Sequence, residues 1–171
     1  RIRLARNLDK TPFPAILKKD EKEKITETLS DSIMKSNSTL SKDFKLYNLN
    51  EMSPVEKTAM AEEHLISLEM IKSNDGAVLV NTDKTMSIML MEEDHIRLQI
   101  IKGGYCLDEA FDLADKVDNV MEESLTYAFD EKFGYLTACP TNVGTGLRAS
   151  VMMHLPALVM TGNITRVLQS F

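Results

Sequence analysis

Cys139-Pro140-Thr141-Asn142-Val143-Gly144-Thr145-Gly146-Leu147-Arg148-Ala149-Ser150-Val151 decides how this chain is read. It places a thiol before a proline, then a loop with two glycines, then an alternating run that carries one arginine. Proline, asparagine and glycine break regular structure, so Cys139 to Gly146 is expected to form a tight loop. Glycines let a backbone approach a ligand closely, and successive amides in such loops bind anions. Beyond the loop, Arg148, Ser150, Met152 and His154 fall on one face of an expected strand, with Leu147, Ala149, Val151, Met153 and Leu155 on the other. These residues alone are equally consistent with a buried turn feeding a core strand.

Working outward, three further arginines sit in strand-like patterns. Arg1-Ile2-Arg3-Leu4-Ala5-Arg6 alternates basic and apolar residues, with Arg1 and Arg3 sharing a face. Ala77–Val80 and Met86–Met91, joined by Asn81-Thr82-Asp83-Lys84, read as a β-hairpin. A third strand follows in which His95, Arg97 and Gln99 alternate with Ile96, Leu98 and Ile100, and Glu92-Glu93-Asp94 forms an acidic turn ahead of it. An acidic turn is ordinarily solvated; one that leads into a strand bearing an arginine is less ordinary. Around these, Ile25, Leu29 and Ile33 mark a helix over 20–36, and Asp43–Leu49 alternates weakly as a strand. Ser53-Pro54 opens a helix towards His64. Leu107, Ala110, Phe111, Ala114, Val117, Met121, Leu125 and Ala128 predict one long amphipathic helix. Antiparallel strands with amphipathic helices indicate the α+β class.

Composition bounds the function. The chain has 171 residues, of which 43% are hydrophobic and 27% charged. That fits one soluble domain. A net charge of −6 argues against nucleic acid as a partner, so any anion site must be a local concentration of arginine. Val151–Met160 is too short and too broken, by His154 and Pro156, to span a membrane. Cys106 and Cys139 have no zinc or CxxC spacing, which suggests a reduced, cytoplasmic setting. The sequons Asn37-Ser38-Thr39 and Asn163-Ile164-Thr165 are matches that chance readily produces. The eleven methionines read as core gap-fillers. The chain opens at Arg1 without Met, as a piece of a longer protein would.

Arg1, Arg3, Arg97 and Arg148, a glycine loop and an acidic turn point together to a polyphosphate site, because guanidinium forks grip phosphate oxygens and stay charged. No Walker loop and no protein-kinase glycine loop is present. The segments carrying these residues resemble a known family. Cys139–Val151 is similar to the signature of the ATP:guanidino phosphotransferases, the phosphagen kinase superfamily. Glu92-Glu93-Asp94-His95-Ile96-Arg97 resembles its second motif, and Arg1-Ile2-Arg3 its opening arginine motif, all in family order. Ile2–Leu8, Glu63-His64-Leu65-Ile66-Ser67 and Val151–Pro156 are most similar to the bacterial protein arginine kinases within it.

The resemblance implies an antiparallel sheet flanked by helices, with 1–171 a partial catalytic domain missing both ends. It implies transfer of the γ-phosphate of ATP to arginine side chains of protein substrates. Arg1, Arg3, Arg97 and Arg148 then match the phosphate-binding arginines, and His64 matches a histidine near the base or ribose. Glu93 matches the glutamate that pairs with the substrate guanidinium, and Cys139 the thiolate beside it. Mg²⁺ is held mainly by phosphates and water, so no protein ligand is named. An activator protein and a homodimer are compatible with the resemblance but unspecified. Met91 stands where the family usually has asparagine, which bears on the turn before Glu92. The family's last arginine and second catalytic carboxylate fall after Phe171, so the isolated piece is expected to transfer no phosphate. Two other readings fit the arginine set: a kinase for a free guanidino metabolite, and a fragment that binds nucleotide or phosphoarginine without turnover.

Overall fold

A computed structural model describes residues 1–171. The first strand, β1 (Ile2–Arg6), lies inside a six-stranded antiparallel sheet. It is followed by α1 (Lys19–Met34), β2 (Phe44–Asn48), α2 (Pro54–Glu62), α3 (Leu68–Lys72) and the hairpin β3 (Ala77–Asn81) and β4 (Met86–Leu90). Then come β5 (Ile96–Ile100), α4 (Leu107–Glu122), a small ribbon of β6 (Phe129–Asp130) and β7 (Gly134–Tyr135), and β8 (Leu147–Ala149). Two short helices, α5 (Pro156–Met160) and α6 (Ile164–Leu168), end the chain. The sheet order is β2-β3-β4-β5-β1-β8, which is the expected α+β architecture.

Alternation divides the sheet into two faces. Ile2, Leu4, Leu79, Ile88, Leu90, Ile96, Leu98 and Ile100 point to one side, into a core closed by α1 and α4. Those helices supply Leu29 and Ile33, and Ala110, Ala114, Val117 and Met121, at the three- and four-residue spacings that line one helical stripe. On the opposite side Val78, Val80 and Met89 pack under Leu49, Leu65, Ile66 and Met70, which come from the segments around α2 and α3. That second layer covers only the β2–β4 half. Beside it, the β5-β1-β8 half carries no comparable apolar cover, and its residues there are Arg97, Gln99, Arg3, Ala5 and Arg148.

Local chemistry sets the helix ends. Ser53 Oγ accepts the Glu56 amide at 3.3 Å while the Glu56 carboxylate accepts the Ser53 amide at 2.8 Å. Together they form a reciprocal cap ahead of Pro54. The helix expected over 20–36 runs Lys19–Met34, and the Glu21 carboxylate accepts the Lys18 amide at its start.

Two expectations are corrected. The long helix predicted to reach Ala128 stops at Glu122, because the following backbone is taken up by the extension of β1. Asp9 N–H donates to Thr126 O and Ala128 N–H to Asn7 O, at 2.9 and 2.7 Å. The strand predicted to run from Leu147 to Leu155 is only Leu147–Ala149. It is an edge strand paired with β1, and beyond it Ser150 N–H donates to Arg1 O. Residues 151–154 are exposed coil.

Ile88 sits at the centre of the larger core and is fully buried. Ile88→Ala is expected to cost about 2–5 kcal/mol of stability. Ile16 is 75% exposed. Ile16→Ala should therefore change stability by about 0.5 kcal/mol at most. Urea unfolding midpoints compare the two, and equal midpoints would contradict this assignment of the core.

Candidate active site

Four guanidiniums come together on the uncovered half of the sheet. Residues paired across strands share a face. The register places Arg3 opposite Gln99 on one side and Arg148 on the other, with Arg97 opposite Ala5. Arg1 precedes Ile2 and lies near Arg97 and Arg148, but outside the cleft lining, with its Nη2 donating to Met152 Sδ. Only Arg97 has a carboxylate partner: its Nη1 donates to both Glu92 oxygens, at 2.6 and 2.8 Å. Arg1 Nε and Arg3 Nε are buried and make no hydrogen bond. Burial lowers the pKa of Arg1, and Arg97 and Arg148 lower it further. Arg3 is lowered to about 10, by burial first and then by Arg97, Arg148 and Arg1. A lowered base pKa means that the fold opposes the charged form throughout neutral pH. An anion with several oxygens relieves this by satisfying the free donors and the excess charge together, so these residues fit a polyphosphate.

The acidic turn splits three ways. Glu92 neutralises Arg97, Glu93 is exposed, and Asp94 is buried. Although Glu93 is largely exposed, its pKa is raised, first by partial desolvation at the cleft and then by the charges of Asp94 and Glu92. That makes it a stronger base than an ordinary carboxylate. Met91 adopts φ 61° in this turn, and its amide donates to His95 O at 3.1 Å. That left-handed geometry suits asparagine and costs a longer side chain about 1 kcal/mol, so the departure at Met91 leaves the turn intact and adds strain.

Asp94 holds the turn against the cysteine loop. Its Oδ1 accepts Asn7 Nδ2 at 2.6 Å and the Ala138 amide at 2.7 Å. Asn7 Oδ1 accepts the His95 amide, and Asn7 Nδ2 also donates to Leu136 O. Glu93 and Cys139, each adjacent in sequence to a member of this network, therefore face one cleft, which Arg3, Arg97 and Arg148 also line. Cys139 Sγ lies 3.0 Å from Thr141 Oγ1. The loop behaves as expected. Gly144 takes φ 114° and Gly146 takes φ 62°, both conformations open to glycine.

One placement differs from the sequence reading. His95 does not share the polar strand face with Arg97 and Gln99. It precedes β5 and is fully buried, with Nδ1 accepting the Leu8 amide at 3.0 Å and Nε2 at 3.0 Å from Pro12 O. Its pKa is lowered, by burial first, so the neutral ring is the folded form. His64 follows α2 with φ 62° and its ring is exposed outside the cleft. It reaches the sheet through its carbonyl, which accepts Gln99 Nε2 at 2.6 Å. The sequence reading missed Asn7 and Asp94 as organisers of the site. The available signal was a run of polar residues, Asn7 and Asp94-His95, at the ends of two strands. No three His, Cys, Asp or Glu side chains converge as a protein-built metal centre would need.

Residues 24–171 match the family model described as ATP:guanido phosphotransferase, C-terminal catalytic domain. A curated relative from Caldanaerobacter subterraneus subsp. tengcongensis, named protein-arginine kinase, is 48% identical over 99% of this chain and 51% of its own length. One of the same name from Clostridium tetani is 48% identical over 98% of this chain and 48% of its own. The chain thus spans about half the length of the curated relatives it matches. Among solved structures, the duplicated taurocyamine kinase from Schistosoma mansoni, with bound transition state analog components, superposes with a TM-score of 0.82. It is 22% identical, with 97% of this chain and 25% of that one covered. Lombricine kinase gives a TM-score of 0.73 at 21% identity, over 85% of this chain and 44% of its own. At these identities the likeness speaks for the fold.

The unpaired guanidiniums make a direct prediction. Inorganic tripolyphosphate should raise Tm, by the equivalent of about 2.7 kcal/mol at a hundredfold excess over its Kd, and salt should erode the effect. Arg3→Gln should abolish most of the shift without lowering the Tm of the free protein. Differential scanning fluorimetry reads both; an equal shift in Arg3→Gln would remove Arg3 from the site.

Proposed function

This chain belongs to the ATP:guanido phosphotransferase family, and from that premise we propose that the whole protein uses ATP to phosphorylate arginine side chains of other proteins. The observation that carries the reading is the meeting, in one cleft, of three guanidiniums with a carboxylate of raised pKa and a thiol. A phosphate-binding site alone has no use for the last two.

Each residue then has a role. Arg1, Arg3, Arg97 and Arg148 hold the phosphate oxygens, and Arg97 keeps its orientation through Glu92. Arginine's guanidinium is protonated at neutral pH and a poor nucleophile. Glu93 pairs with it and accepts its proton as the nitrogen–phosphorus bond forms and the bond from γ-phosphorus to the bridging oxygen breaks, releasing ADP. Cys139 lies on the other loop of the cleft as a thiolate partner for the substrate guanidinium, a state that cationic surroundings favour. Mg²⁺, held through the phosphates, supplies charge neutralisation. His64 is the candidate for contact with the base or ribose, from its place at the Gln99 end of the arginine face. Little covalent work is left to the protein, so the rate comes from positioning and electrostatics.

Protein rather than free arginine as substrate is supported by the 48% identity to relatives named protein-arginine kinase. Free arginine offers an α-carboxylate and α-amine as remote handles, whereas in a protein both are amides. An acidic chain, with 26 Asp and Glu against 20 Lys and Arg, favours basic segments as partners.

Two measurements test the proposal on the full-length protein. Glu93→Gln keeps the size and an acceptor oxygen but loses the charge; turnover should fall by about 10²–10⁴ while ATP still binds. Near-normal turnover would shift the role to another carboxylate. Offered ATP with an arginine-rich protein or with millimolar free arginine, the enzyme should label the protein with an acid-labile phosphorus–nitrogen bond and consume free arginine slowly. Rapid consumption of free arginine with an unlabelled protein would favour the metabolite-kinase reading.

A further inference from the structure

Arg6 is out of phase with the other arginines of β1. Alternation sends Arg1 and Arg3 to the open face and Arg6, like Ile2 and Leu4, to the core side. There it is 5% exposed. Its Nε and Nη2 both donate to Asp118 Oδ2 of α4, at 3.0 and 2.7 Å. Its Nη1 donates to Ala5 O at 2.9 Å and, across the chain, to Thr145 O at 3.0 Å. The guanidinium lies 3.6 Å from the centroid of the Tyr135 ring. Tyr135 is itself locked to the glycine loop, its amide donating to Gly144 O and its carbonyl accepting the Gly144 amide. A Cβ at Gly146 would come within 2.5 Å of both Ala5 O and Arg6 Nη1, so the loop can lie this close only because that residue is glycine.

We infer that Arg6, held by Asp118, is the positioning residue that fixes the Gly144–Gly146 loop and, through it, both Arg148 and Cys139. The connections are short. Arg148 lies two residues beyond Gly146. In the other direction the Gly146 amide donates to Asn142 O and the Asn142 amide to Cys139 O, both at 3.0 Å. Arg6 is shielded from the open face, so it touches no ligand there. A buried ion pair contributes little net stability against its desolvation; the bond to Thr145 O is what reaches the site. A planar fork that grips one carboxylate while bonding two carbonyls is beyond a lysine.

The inference rests on the reading of Arg148 as a phosphate-binding residue, and the test separates the two. In the full-length protein carrying Cys106→Ser, two quantities are measured: affinity for a non-hydrolysable ATP analogue, and the rate of Cys139 alkylation by iodoacetamide. Arg6→Lys should weaken the analogue by about fivefold or more and change the alkylation rate at least about threefold, but add less than about twofold in an Arg148→Ala background, since coupled residues are non-additive. Asp118→Asn, which keeps an acceptor oxygen, should give the same pattern and stands in if Arg6→Lys does not fold. Equal losses in both backgrounds, or unaltered affinity and alkylation in a folded variant, would overturn the role of Arg6. If Arg148→Ala leaves affinity unchanged while Arg6→Lys still alters alkylation, the loop anchor stands and the phosphate clamp falls.

Discussion

Five consecutive antiparallel pairs, from Ile2 with Ile100 to Arg6 with Ile96, hold the first strand beside β5, and the cationic face depends on their register. Side chains alternate along a strand, so a one-residue slip would turn Ile2 and Leu4 outward and drive Arg1 and Arg3 into the core. The apolar side of β1 and β5 thereby fixes where the arginines stand. Ile2, Leu4, Ile96, Leu98 and Ile100 are all buried, none more than 3% exposed. Burial of each such side chain is worth about 1.5–3 kcal/mol. That is the force that keeps mutually repelling guanidiniums in one place with Glu92 as their only bidentate partner.

Buried polar groups do the joining that the sheet leaves undone. Asp94 bonds the acidic turn to the cysteine loop through Asn7 and the Ala138 amide, and Arg6 bonds the glycine loop to α4. Such groups are costly unless satisfied, and here they are satisfied only when the loops take this arrangement. The Glu93 carboxylate makes no hydrogen bond of its own, and the Cys139 thiol only the one with Thr141 Oγ1. Each is placed chiefly by the residue next to it, which leaves the carboxylate and the thiol open to the cleft.

The sequence was most legible where one segment carries its own pattern. Alternation in Arg1–Arg6 and Ile96–Ile100, the helix start at Ser53-Pro54, and the glycine loop were all read from neighbouring residues and stand as expected. It was least legible where a distant partner decides. The Leu107 periodicity continues past Glu122, but the backbone after it is claimed by Asn7 and Asp9. The pattern from Leu147 to Leu155 is strand-like, yet only Leu147–Ala149 is paired, with β1. His95 fits a polar alternation, and only the folded chain brings Leu8 and Pro12 to its two nitrogens. Arg6 carried a faint local signal, a charge at a core-phase position, whose meaning lies with Asp118 more than a hundred residues away.

The half-covered sheet has an evolutionary consequence. On the face opposite the main core, β3 and β4 answer to the layer around α2 and α3, while β5, β1 and β8 answer to the arginine face. Beyond the β4–β5 backbone ladder, the Gln99 side chain ties the two halves at their border, reaching Ser87 and the His64 carbonyl. Changes at Val78 or Ile66 therefore draw on the stability of one half and changes at Arg3 or Arg148 on the chemistry of the other, with effects that add because the residues share no partners. A lineage built on this sheet can remodel its covering layer and retain its arginine face, or retune that face under an unchanged cover. Gln99 is the position where the two kinds of change would first collide.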